Sequence, residues 1–574
     1  MSRRLSIYLI LAALATVGAT ASWIAVGAEQ SRADLALVRG DIAAAEWSTS
    51  RARLDALAGS FGVHRRALAG LAVIEALTDD DSAYRLTRVT ARDLSYYPLG
   101  PLLQRALAEE RYDGCLRLVA LLRRVGAPDF REFEAAAFLE QGRLELARSI
   151  EVPATPRTRV RATLAAVFAS DPRDVLVRDR EGALLGTASP APAGGFVFTP
   201  ERGVDAALVP GPAIDGLASV LPARSVRLTI DRALSQMARG ALGPYRGSIV
   251  VVDPSDGSVL AAVSDRRTDS ESGAPALEQM REPASIAKLI TVTAALRAGY
   301  DVDAILHDMT CRGSMRLDDS AEGVLYCAAV NGPLHGLDRA LAVSCNVAFA
   351  QLGEMVGREK LLEEFHRYGF DFEGDESQFF GRVVAPEGSA RQLGDLSIGL
   401  EATSITPVHA ALEAATVANG GWMHPPRLYR STDTFLGFSE RSLPKPEGWQ
   451  VLDESWRPLL TRAMIAVANP GGTAARIAPA SFPVALKTGT ASEPDTGFHV
   501  NYIGFGPLPE TRFAFAVRVT HQSSSRRVRT AAFAVTRRLL EGLSRFDVDR
   551  PAQQPPPRGR AVLATLGQQA AGGG

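Results

Sequence analysis

The sequence predicts an α+β protein of several domains, and three observations support this prediction. The chain has 574 residues, more than one compact domain usually holds. Residues 31–150 carry apolar positions at helical spacing, whereas residues 225–545 alternate strand-like and helix-like segments. Hydrophobic residues make up 46% of the chain and charged residues 22%, which is ordinary for globular domains with large cores.

The charge balance and the histidine pattern exclude some partners. The formal net charge is −1 and the pI is near 6.7, so we expect no nucleic acid partner. The eight histidines are scattered, and none lies in an H-E-x-x-H pattern. We therefore predict no metal site and no cofactor.

An uncharged apolar segment from Ser6 to Ala28 follows the first residues of the chain. Its 23 residues can cross a bilayer as a helix. Arg3 and Arg4 ahead of it favour a cytoplasmic N-terminus. A signal peptide cleaved after Ala28 is the alternative. We predict an uncleaved single-pass anchor within residues 1–30, in the inner (cytoplasmic) membrane, with the rest of the chain outside the cytoplasm, in the periplasm.

Residues 31–150 are rich in Ala, Leu and Arg, and their apolar positions recur at helical spacing. Three segments that begin at Ala36, Ala106 and Ala137 look alike. They suggest helix pairs of the tetratricopeptide kind, and a plain helical bundle is the alternative. None of the chemical motifs lies here, so we expect either a surface for partner proteins or a spacer.

Two further segments have weaker patterns. Residues 151–224 contain a hairpin-like alternation around Glu181-Gly182 and two clusters of Pro and Gly, which predicts a small α/β pedestal or linker. Residues 546–574 are rich in Pro, Gln and Gly, which predicts a disordered tail.

Residues 225–545 hold the clearest succession of elements. We predict, in order, a helix, two strands around an Asp-Gly turn, a helix that starts near Ser285, a largely helical insert, three strands and a closing helix. The bounds are Arg232–Leu242 for the first helix, 246–264 for the strand pair, Phe482–Thr490, Val500–Gly506 and Arg512–Thr520 for the later strands, and Arg527–Leu543 for the last helix.

The first chemical motif of this region pairs Ser285 with Lys288. Pro283 and an apolar run after Ser285 predict a helix whose first turn carries the serine, so Lys288 lies one turn further on the same face. A serine hydroxyl needs a nearby base to become a nucleophile. Burial and cationic neighbours can lower a lysine pKa enough for that task. The helix N-terminus adds positive potential near the serine, where oxyanion charge would develop.

Two further motifs follow in order. One is Ser344-Cys345-Asn346 and the other is Lys487-Thr488-Gly489-Thr490, the latter on a predicted strand. Taken alone, each is more often a helix cap, a turn or a strand end. We expect the glycine of the third motif to let a substrate backbone lie close against the strand.

Together, the three motifs resemble the set found in penicillin-binding proteins and serine β-lactamases. The flanking sequence over about residues 225 to 545 is similar to a class B-like, monofunctional penicillin-binding transpeptidase domain. Similar segments include 246–264, 334–349, 397–400, 405–407, 418–421, 471–474 and 501–505. One departure is Cys345, where many relatives carry Asp or Ser. The resemblance implies a transpeptidase-like fold: a five-stranded antiparallel sheet with helices on both faces, plus a helical subdomain.

The resemblance also implies roles for individual residues. Ser285 would be the acylated nucleophile, Lys288 its base and Ser344 a proton relay to the leaving amine. Asn346 would hydrogen-bond Lys288 and the substrate backbone.

On the third motif, Lys487 would set the electrostatics for the substrate carboxylate, and Thr488 and Thr490 would offer it hydroxyls. Gly489 completes this predicted substrate-binding set. The backbone N–H groups of Ser285 and Thr490 would form the oxyanion hole.

The function that this resemblance implies is peptidoglycan D,D-transpeptidation through a serine acyl-enzyme, inhibited by β-lactams. A hydrolase of the carboxypeptidase or β-lactamase type is the first alternative. A non-catalytic envelope scaffold or sensor is the second. The expected partners are stem peptides, β-lactams, the membrane and, through the helical region, other cell-wall synthesis proteins.

The four cysteines lack C-x-x-C spacing. Cys311 and Cys327 flank a polar segment, and outside the cytoplasm they are candidates for a disulfide. Bonded and free forms both remain open from the sequence.

Overall fold

The computed structural model describes most of the chain. The described residues are 3–44, 46–60, 63–78, 89–127, 129–152, 160–161, 164, 167–168, 173–221, 223–265, 274–319, 323–385, 388–400, 403–434, 440–493, 497–522 and 525–549. Within them, the side chains of residues 3–13, 18, 493 and 547–549 are left out of the description. Residues 550–574 of the predicted tail lie outside the described part, whereas residues 546–549 belong to the last helix.

The N-terminal part of the described chain is helical. Its helices are Arg3–Ala43, Trp47–Leu57, His64–Thr78, Ala91–Leu94, Leu99–Ala108, Tyr112–Arg124, Arg131–Glu140 and Leu144–Ser149. Successive helices pack on one another and bury Leu, Val and Ala side chains in a core of their own, from Leu35 to Val167. We call this part the helical body. Its relation to tetratricopeptide repeats stays a prediction.

The predicted membrane anchor falls on the first of these helices. Among the described residues, no helix combines the length and the apolar content needed to cross a membrane. The anchor therefore stays a prediction.

A six-stranded sheet follows the helical body. It contains β1 (Val175–Arg178), β2 (Leu184–Pro190), β3 (Phe196–Pro200), β4 (Ser225–Leu228), β14 (Tyr429–Asp433) and β15 (Glu440–Ser442), in the order β15-β14-β4-β1-β2-β3. β1 and β2 form the hairpin predicted around Glu181-Gly182, and Gly182 adopts the positive φ of 90° that its turn requires. Three of the six strands lie beyond residue 224, so the pedestal sheet is completed by the region that follows it.

A second, five-stranded sheet organises the rest of the chain. Its strands are β5 (Gly247–Val252), β6 (Val259–Ser264), β17 (Ala485–Glu493), β18 (Gly497–Gly506) and β19 (Phe513–His521), in the order β17-β18-β19-β5-β6. All four neighbouring pairs are antiparallel, as the resemblance implied. β17 is an edge strand, so one side of the third motif is open to other groups.

Helices cover both faces of this sheet, as two residues of β19 show. Residues along a strand alternate between the two faces. Phe513 contacts Phe546 on the helix Ser525–Asp549. Arg518, five residues on and so on the opposite face, donates to the carbonyl of Ile405, ahead of the fully buried helix Pro407–Ala418. The helix Arg232–Leu242, which has the predicted bounds, packs on β5, β6 and the last helix.

The segment between β6 and β17 is largely helical, as predicted. Its helices are Pro275–Glu278, Lys288–Arg297, Val302–His307, Leu337–Ala342, Asn346–Val356, Arg358–Arg367, Ala390–Ser397, Pro407–Ala418 and Arg457–Ala468. Short strand pairs lie between them: β7 (Thr310–Cys311) with β10 (Gly332–Pro333), β8 (Ser314–Arg316) with β9 (Val324–Tyr326), β11 (Arg382–Val383) with β12 (Thr403–Ser404), and β13 (Trp422–Met423) with β16 (Trp449–Gln450). We call residues 225–545 the catalytic body.

Candidate active site

Ser285 lies on a 3-10 turn, Ala284–Ile286, directly ahead of the helix Lys288–Arg297. The backbone of Ala284 has a φ of +52°, a conformation that costs a residue with a Cβ roughly 1–3 kcal/mol. The neighbouring chain compensates for this cost, because the Ala284 N–H donates to the carbonyl of Gly399 at 2.8 Å. A Cβ at Gly399 would lie 2.4 Å from the carbonyl oxygen of Ala284, so only glycine permits this approach.

A buried polar platform on β18 and β19 holds the carbonyls ahead of the serine turn. The Asn501 amide donates to the carbonyls of Glu282 and Pro283 at 3.2 and 3.3 Å. The Arg518 guanidinium, 1% exposed, donates to the side-chain oxygen of Asn501 at 2.8 Å and so fixes the orientation of the amide. The segment 501–505 is among those similar to the family, but the sequence assigns no role to Asn501 or Arg518, since neither residue belongs to a chemical motif.

The third motif packs directly against the serine turn. Gly489 lies opposite Asn501 in the β17–β18 register, and a Cβ on Gly489 would lie 2.7 Å from the carbonyl oxygen of Pro283. The group that requires glycine at this position is therefore the protein's own turn, whereas the sequence pattern had suggested a substrate backbone. The close approach brings β17 beside Ser285.

Lys288 is completely buried and lies among the side chains of the second motif. Its Nζ atom is 2.7 Å from Oδ1 of Asn346, 2.8 Å from the carbonyl oxygen of Ser344 and 3.1 Å from Oγ of Ser344. Burial lowers the pKa of Lys288 to about 7, because the ammonium form loses its hydration. A substantial fraction of Lys288 is then a neutral amine near neutral pH.

Ser344 lies between the two buried lysines. Lys487 donates to Oγ of Ser344 at 3.0 Å, and Lys288 approaches the same oxygen from its other side. Burial, with a further contribution from the charge of Lys288, lowers the pKa of Lys487 well below its usual range. The backbone of Ser344 has a φ of +53°, which turns the chain between two helices and aims the hydroxyl at both ammonium groups.

The two threonines of the third motif differ in exposure. Thr488 is 9% exposed, and its hydroxyl lies 2.8 Å from that of Thr473, a residue without an assigned role in the sequence prediction. Thr490 is exposed on the edge of β17.

These residues border a cleft of about 550 Å³. Ser285, Ser344, Asn346, Thr488 and Thr490 line it, together with Ala328, Val343, Thr473, Val500, Tyr502, Arg529, Thr530 and Phe533. The last three lie on the C-terminal helix, and Arg529 offers a cation exposed to solvent. The sequence patterns missed these three because only the packing of that helix across the sheet brings it to the cleft.

The two cysteines predicted as a candidate disulfide are close together but unbonded. The Sγ atoms of Cys311 and Cys327 are 3.6 Å apart, and both residues are free thiols in the structure. A disulfide requires about 2.05 Å. Cys345 lies as close to Cys327 as Cys311 does, a neighbour that the spacing along the chain did not reveal.

The fold and this site together define a class of protein. A serine on a constrained turn, two buried lysines of lowered pKa and a shared serine hydroxyl form the apparatus of a serine acyl-transfer enzyme that uses lysine where others use histidine.

Comparison with known proteins agrees with that class. Residues 247–541 match the family described as the penicillin binding protein transpeptidase domain, and this match spans half of the chain. The chain therefore belongs to the penicillin-binding protein transpeptidase family.

Curated relatives include two peptidoglycan D,D-transpeptidases named PbpA. The one from Mycolicibacterium smegmatis is 31% identical over 323 residues, covering 50% of this chain and 64% of the relative. The one from Mycobacterium tuberculosis is 30% identical over 341 residues, covering 51% of this chain and 67% of the relative. The matched region thus spans about two thirds of these relatives.

Among solved structures, the imipenem acyl-enzyme complex of penicillin-binding protein A from M. tuberculosis is similar to this chain. The TM-score is 0.54 at 24% sequence identity, with 64% of this chain and 97% of that chain covered. At this identity the likeness shows the fold.

Proposed function

We propose that this protein is a peptidoglycan D,D-transpeptidase that forms an acyl-enzyme on Ser285. The observation that carries the proposal is the convergence of the two buried lysines, Lys288 and Lys487, on the hydroxyl of Ser344, at 3.1 and 3.0 Å. The named activity of the two PbpA relatives supports the choice of substrate.

Acylation begins with proton transfer from the Ser285 hydroxyl to neutral Lys288. The serine oxygen attacks the carbonyl carbon between the two terminal D-alanines of a stem peptide, and a tetrahedral oxyanion forms. The N–H groups of Ser285 and Thr490 stabilise this charge, a contribution worth roughly 3–4 kcal/mol per donor in well-studied enzymes. The C–N bond then breaks, and D-alanine leaves as a neutral amine after it accepts a proton.

Ser344 supplies that proton. Its hydroxyl donates to the leaving nitrogen and receives a proton in turn from one of the two lysines. Because Lys288 holds the proton taken from Ser285, the relay returns it to the leaving group without using bulk water. The hydrogen bond from Lys288 to Asn346 at 2.7 Å holds the amine beside Ser344.

Substrate orientation depends on the open edge of β17. Its backbone can pair with an extended peptide, as edge strands do. Thr488 and Thr490 offer hydroxyls to the terminal carboxylate, and Lys487 contributes positive potential from the interior. Arg529 adds a second cation on the solvent side of the cleft.

The fate of the acyl-enzyme distinguishes a transpeptidase from a hydrolase. A hydrolase needs a base that activates water near the ester. In the described part of the chain, the residues that line the cleft include no carboxylate and no histidine. This composition argues against a β-lactamase that deacylates with a carboxylate, and turnover with and without an acceptor amine decides between the amine and water.

The proposal includes a single-pass anchor that holds the catalytic body outside the cytoplasm. Its support is the apolar segment from Ser6 to Ala28 behind Arg3 and Arg4. The first helix also exposes large apolar side chains, with Trp23 at 80% and Val26 at 66% exposure. N-terminal sequencing of membrane-purified protein should find the segment retained, and a chain that begins at Glu29 would contradict the anchor.

Intact-mass analysis after exposure to penicillin tests the nucleophile. We expect one penicillin adduct on the wild-type protein and none on the Ser285→Ala variant, because removal of a covalent nucleophile abolishes the step. Ser219→Ala is the matched control, since this serine is exposed in the pedestal and should leave labelling unchanged. Labelling of the Ser285→Ala variant would refute the assignment.

Turnover of a pentapeptide with and without an acceptor amine tests the reaction type. We expect release of D-alanine to rise when the amine is present and a cross-linked product to accumulate. Equal release with water alone, without cross-linked product, would indicate a carboxypeptidase instead. An intact protein that binds penicillin but releases no D-alanine would indicate a sensor.

A further inference from the structure

Three thiols form a compact cluster beside the candidate active site. Cys311 ends β7, Cys327 follows β9, and Cys345 lies within the second motif. The Sγ atom of Cys327 is 3.6 Å from that of Cys311 and 3.6 Å from that of Cys345. These distances are van der Waals contacts, so either sulfur can bond to Cys327 after a small side-chain rotation.

Cys327 differs from its two neighbours in exposure and in hydrogen bonding. It is partly exposed, whereas Cys311 is 1% and Cys345 0% exposed. Its sulfur accepts a hydrogen bond from the backbone N–H of Val347 at 3.4 Å. Hydrogen bonds from Cys345 and from Val347 lower the pKa of Cys327, because they stabilise its thiolate. A reagent from solvent would therefore meet Cys327 first.

We propose that Cys327 is a covalent modification site for disulfide reagents, and that it resolves into a disulfide with either Cys345 or Cys311. The cluster then has two mutually exclusive oxidised forms that share one sulfur.

The oxidation steps balance with a disulfide RSSR as the oxidant. The Cys327 thiolate attacks one sulfur of RSSR, forms a mixed disulfide and releases RS⁻. The thiol of Cys345 or Cys311 loses its proton and attacks Sγ of Cys327, which forms the internal disulfide and releases the second RS⁻. Two protein thiols are oxidised, and one RSSR is reduced to two RSH.

The two oxidised forms interconvert without further oxidant. The thiolate of Cys311 attacks Sγ of Cys327 in the Cys327–Cys345 disulfide, the new bond forms, and Cys345 leaves as a thiolate. The proton that Cys311 gives up ends on Cys345, so the electron count is unchanged.

The cluster is connected to the acylation apparatus in two ways. The Asn346 amide donates to the carbonyl of Tyr326 at 2.8 Å, which joins the segment carrying Cys327 to the second motif. Negative charge within the Cys345–Cys327 pair raises the pKa of Lys288, against the larger lowering by burial. Cys327 carries that charge, because its hydrogen bond with Cys345 raises the pKa of the Cys345 thiol and lowers that of Cys327. Lys487 faces Lys288 across the hydroxyl of Ser344, and besides burial the charge of Lys288 lowers the pKa of Lys487 by repulsion.

Oxidation removes the ionisable sulfur beside Lys288, so its pKa should fall. Neutral Lys288 is the reactive form, and the acid limb of the acylation rate should therefore move to lower pH. This readout rests on the proposed function, whereas the formation of the disulfide does not.

Disulfide mapping of the full-length protein tests the modification site itself. The reduced protein is treated with oxidised glutathione, alkylated, digested and analysed by mass spectrometry. We expect one internal disulfide that contains Cys327. Cys115, which is completely buried in the helical body, should stay alkylatable after denaturation.

Cys311→Ser should give only the Cys327–Cys345 bond, and Cys345→Ser only the Cys311–Cys327 bond. Three free thiols after oxidation, or a bond that excludes Cys327, would overturn the proposal.

Penicillin acylation rates from pH 5 to 9 test the connection to Lys288. We expect the oxidised Cys311→Ser variant to show its midpoint lower by about half to one pH unit, a roughly three- to fivefold faster rate at pH 6. Reduced Cys311→Ser should match reduced wild type. Oxidant should leave the pH profile of Cys327→Ser unchanged. The profile of Cys115→Ser should respond to oxidant as that of wild type does. Superimposable profiles before and after complete oxidation would refute the connection. A protein that oxidises as expected but takes no penicillin would refute the proposed function and leave the modification site standing.

Discussion

The helical body and the catalytic body bury charged side chains in different ways. In the helical body, the side chains of Arg161 and Glu132 are buried and form an ion pair at 3.0 Å, which neutralises both charges. In the described part of the catalytic body, Lys288 and Lys487 are buried without a carboxylate partner and share a serine hydroxyl instead. The first arrangement pairs two opposite charges, whereas the second lowers the pKa of two amines.

This contrast indicates that the chemistry of the molecule is located in the catalytic body. Burial of an unneutralised cation is unfavourable for folding, and a protein retains it where the neutral amine is useful. The N-terminal core consists mainly of Ala, Leu and Val, and none of the three motifs lies in this part of the chain. The predictions below test whether the two bodies are as distinct as this contrast implies.

The largest effect should come from Lys288→Arg. A guanidinium keeps the positive charge but does not deprotonate, so the base is lost while the net charge stays the same. We expect penicillin acylation to slow by roughly a hundred- to ten-thousandfold, the usual contribution of a general base. Stopped-flow or gel labelling with a fluorescent penicillin measures the rate. Near-normal acylation would mean that another group activates Ser285.

Gly489→Ala should have the second-largest effect on acylation. The new Cβ would meet the carbonyl of Pro283 at 2.7 Å, so β17 and the serine turn must separate. A displacement of about 1 Å at a reacting group can slow catalysis roughly a hundredfold. Gly240→Ala is the control, because nothing lies within 4 Å of its Cβ position. Equal acylation by the two variants would show that the close approach has no role.

The pH dependence of acylation should report Lys288. Its pKa is about 7, and the neutral amine is the reactive form. In the reduced protein, the rate should therefore rise about tenfold per pH unit below 7 and level off above it. A rate that falls as the pH rises through 7 would have the wrong sign for a lysine base.

Arg529→Ala should have a smaller effect, on substrate affinity. This exposed arginine borders the cleft, and an exposed charge pair is worth roughly 0.2–1 kcal/mol, or about 1.4- to fivefold in affinity. Arg526→Ala, on the same helix but outside the cleft lining, is the matched control. The concentration dependence of acylation separates binding from the chemical step, and a change in the limiting rate alone would contradict the assigned role.

The smallest effect on acylation should come from the helical body. Phe133→Ala removes a ring buried in its core and should destabilise that body by about 3–5 kcal/mol, while acylation stays unchanged. Phe349→Ala is the matched variant in the catalytic body, where the ring lies 5.4 Å from Nζ of Lys288. It should lower both stability and acylation. Loss of acylation in Phe133→Ala would contradict the view that the helical body takes no part in acylation.

Much of the catalytic body could be predicted from its sequence. The helix Arg232–Leu242 has the predicted bounds, and the last three strands lie where alternation placed them, although β17 and β18 begin three residues away from the prediction. Periodicity and turn residues depend only on neighbouring positions, so they can be recognised without knowledge of the fold. The segments that flank the motifs also contain residues whose type the fold restricts, such as Gly399, which packs against the serine turn.

The order of residues already shows which side chains can do chemistry here: a serine with a lysine one turn away, a serine and asparagine pair, and a lysine on a strand. The folded structure adds that Ser344 lies between two buried lysines, that Asn501 and Arg518 support the turn that carries Ser285, and that Cys345 and Cys311 are equally close to Cys327. These facts could not be predicted because the residues concerned are distant along the chain. Burial, pKa and sulfur contacts depend on residues tens to hundreds of positions apart, and these meet only once the sheet and its helices have packed.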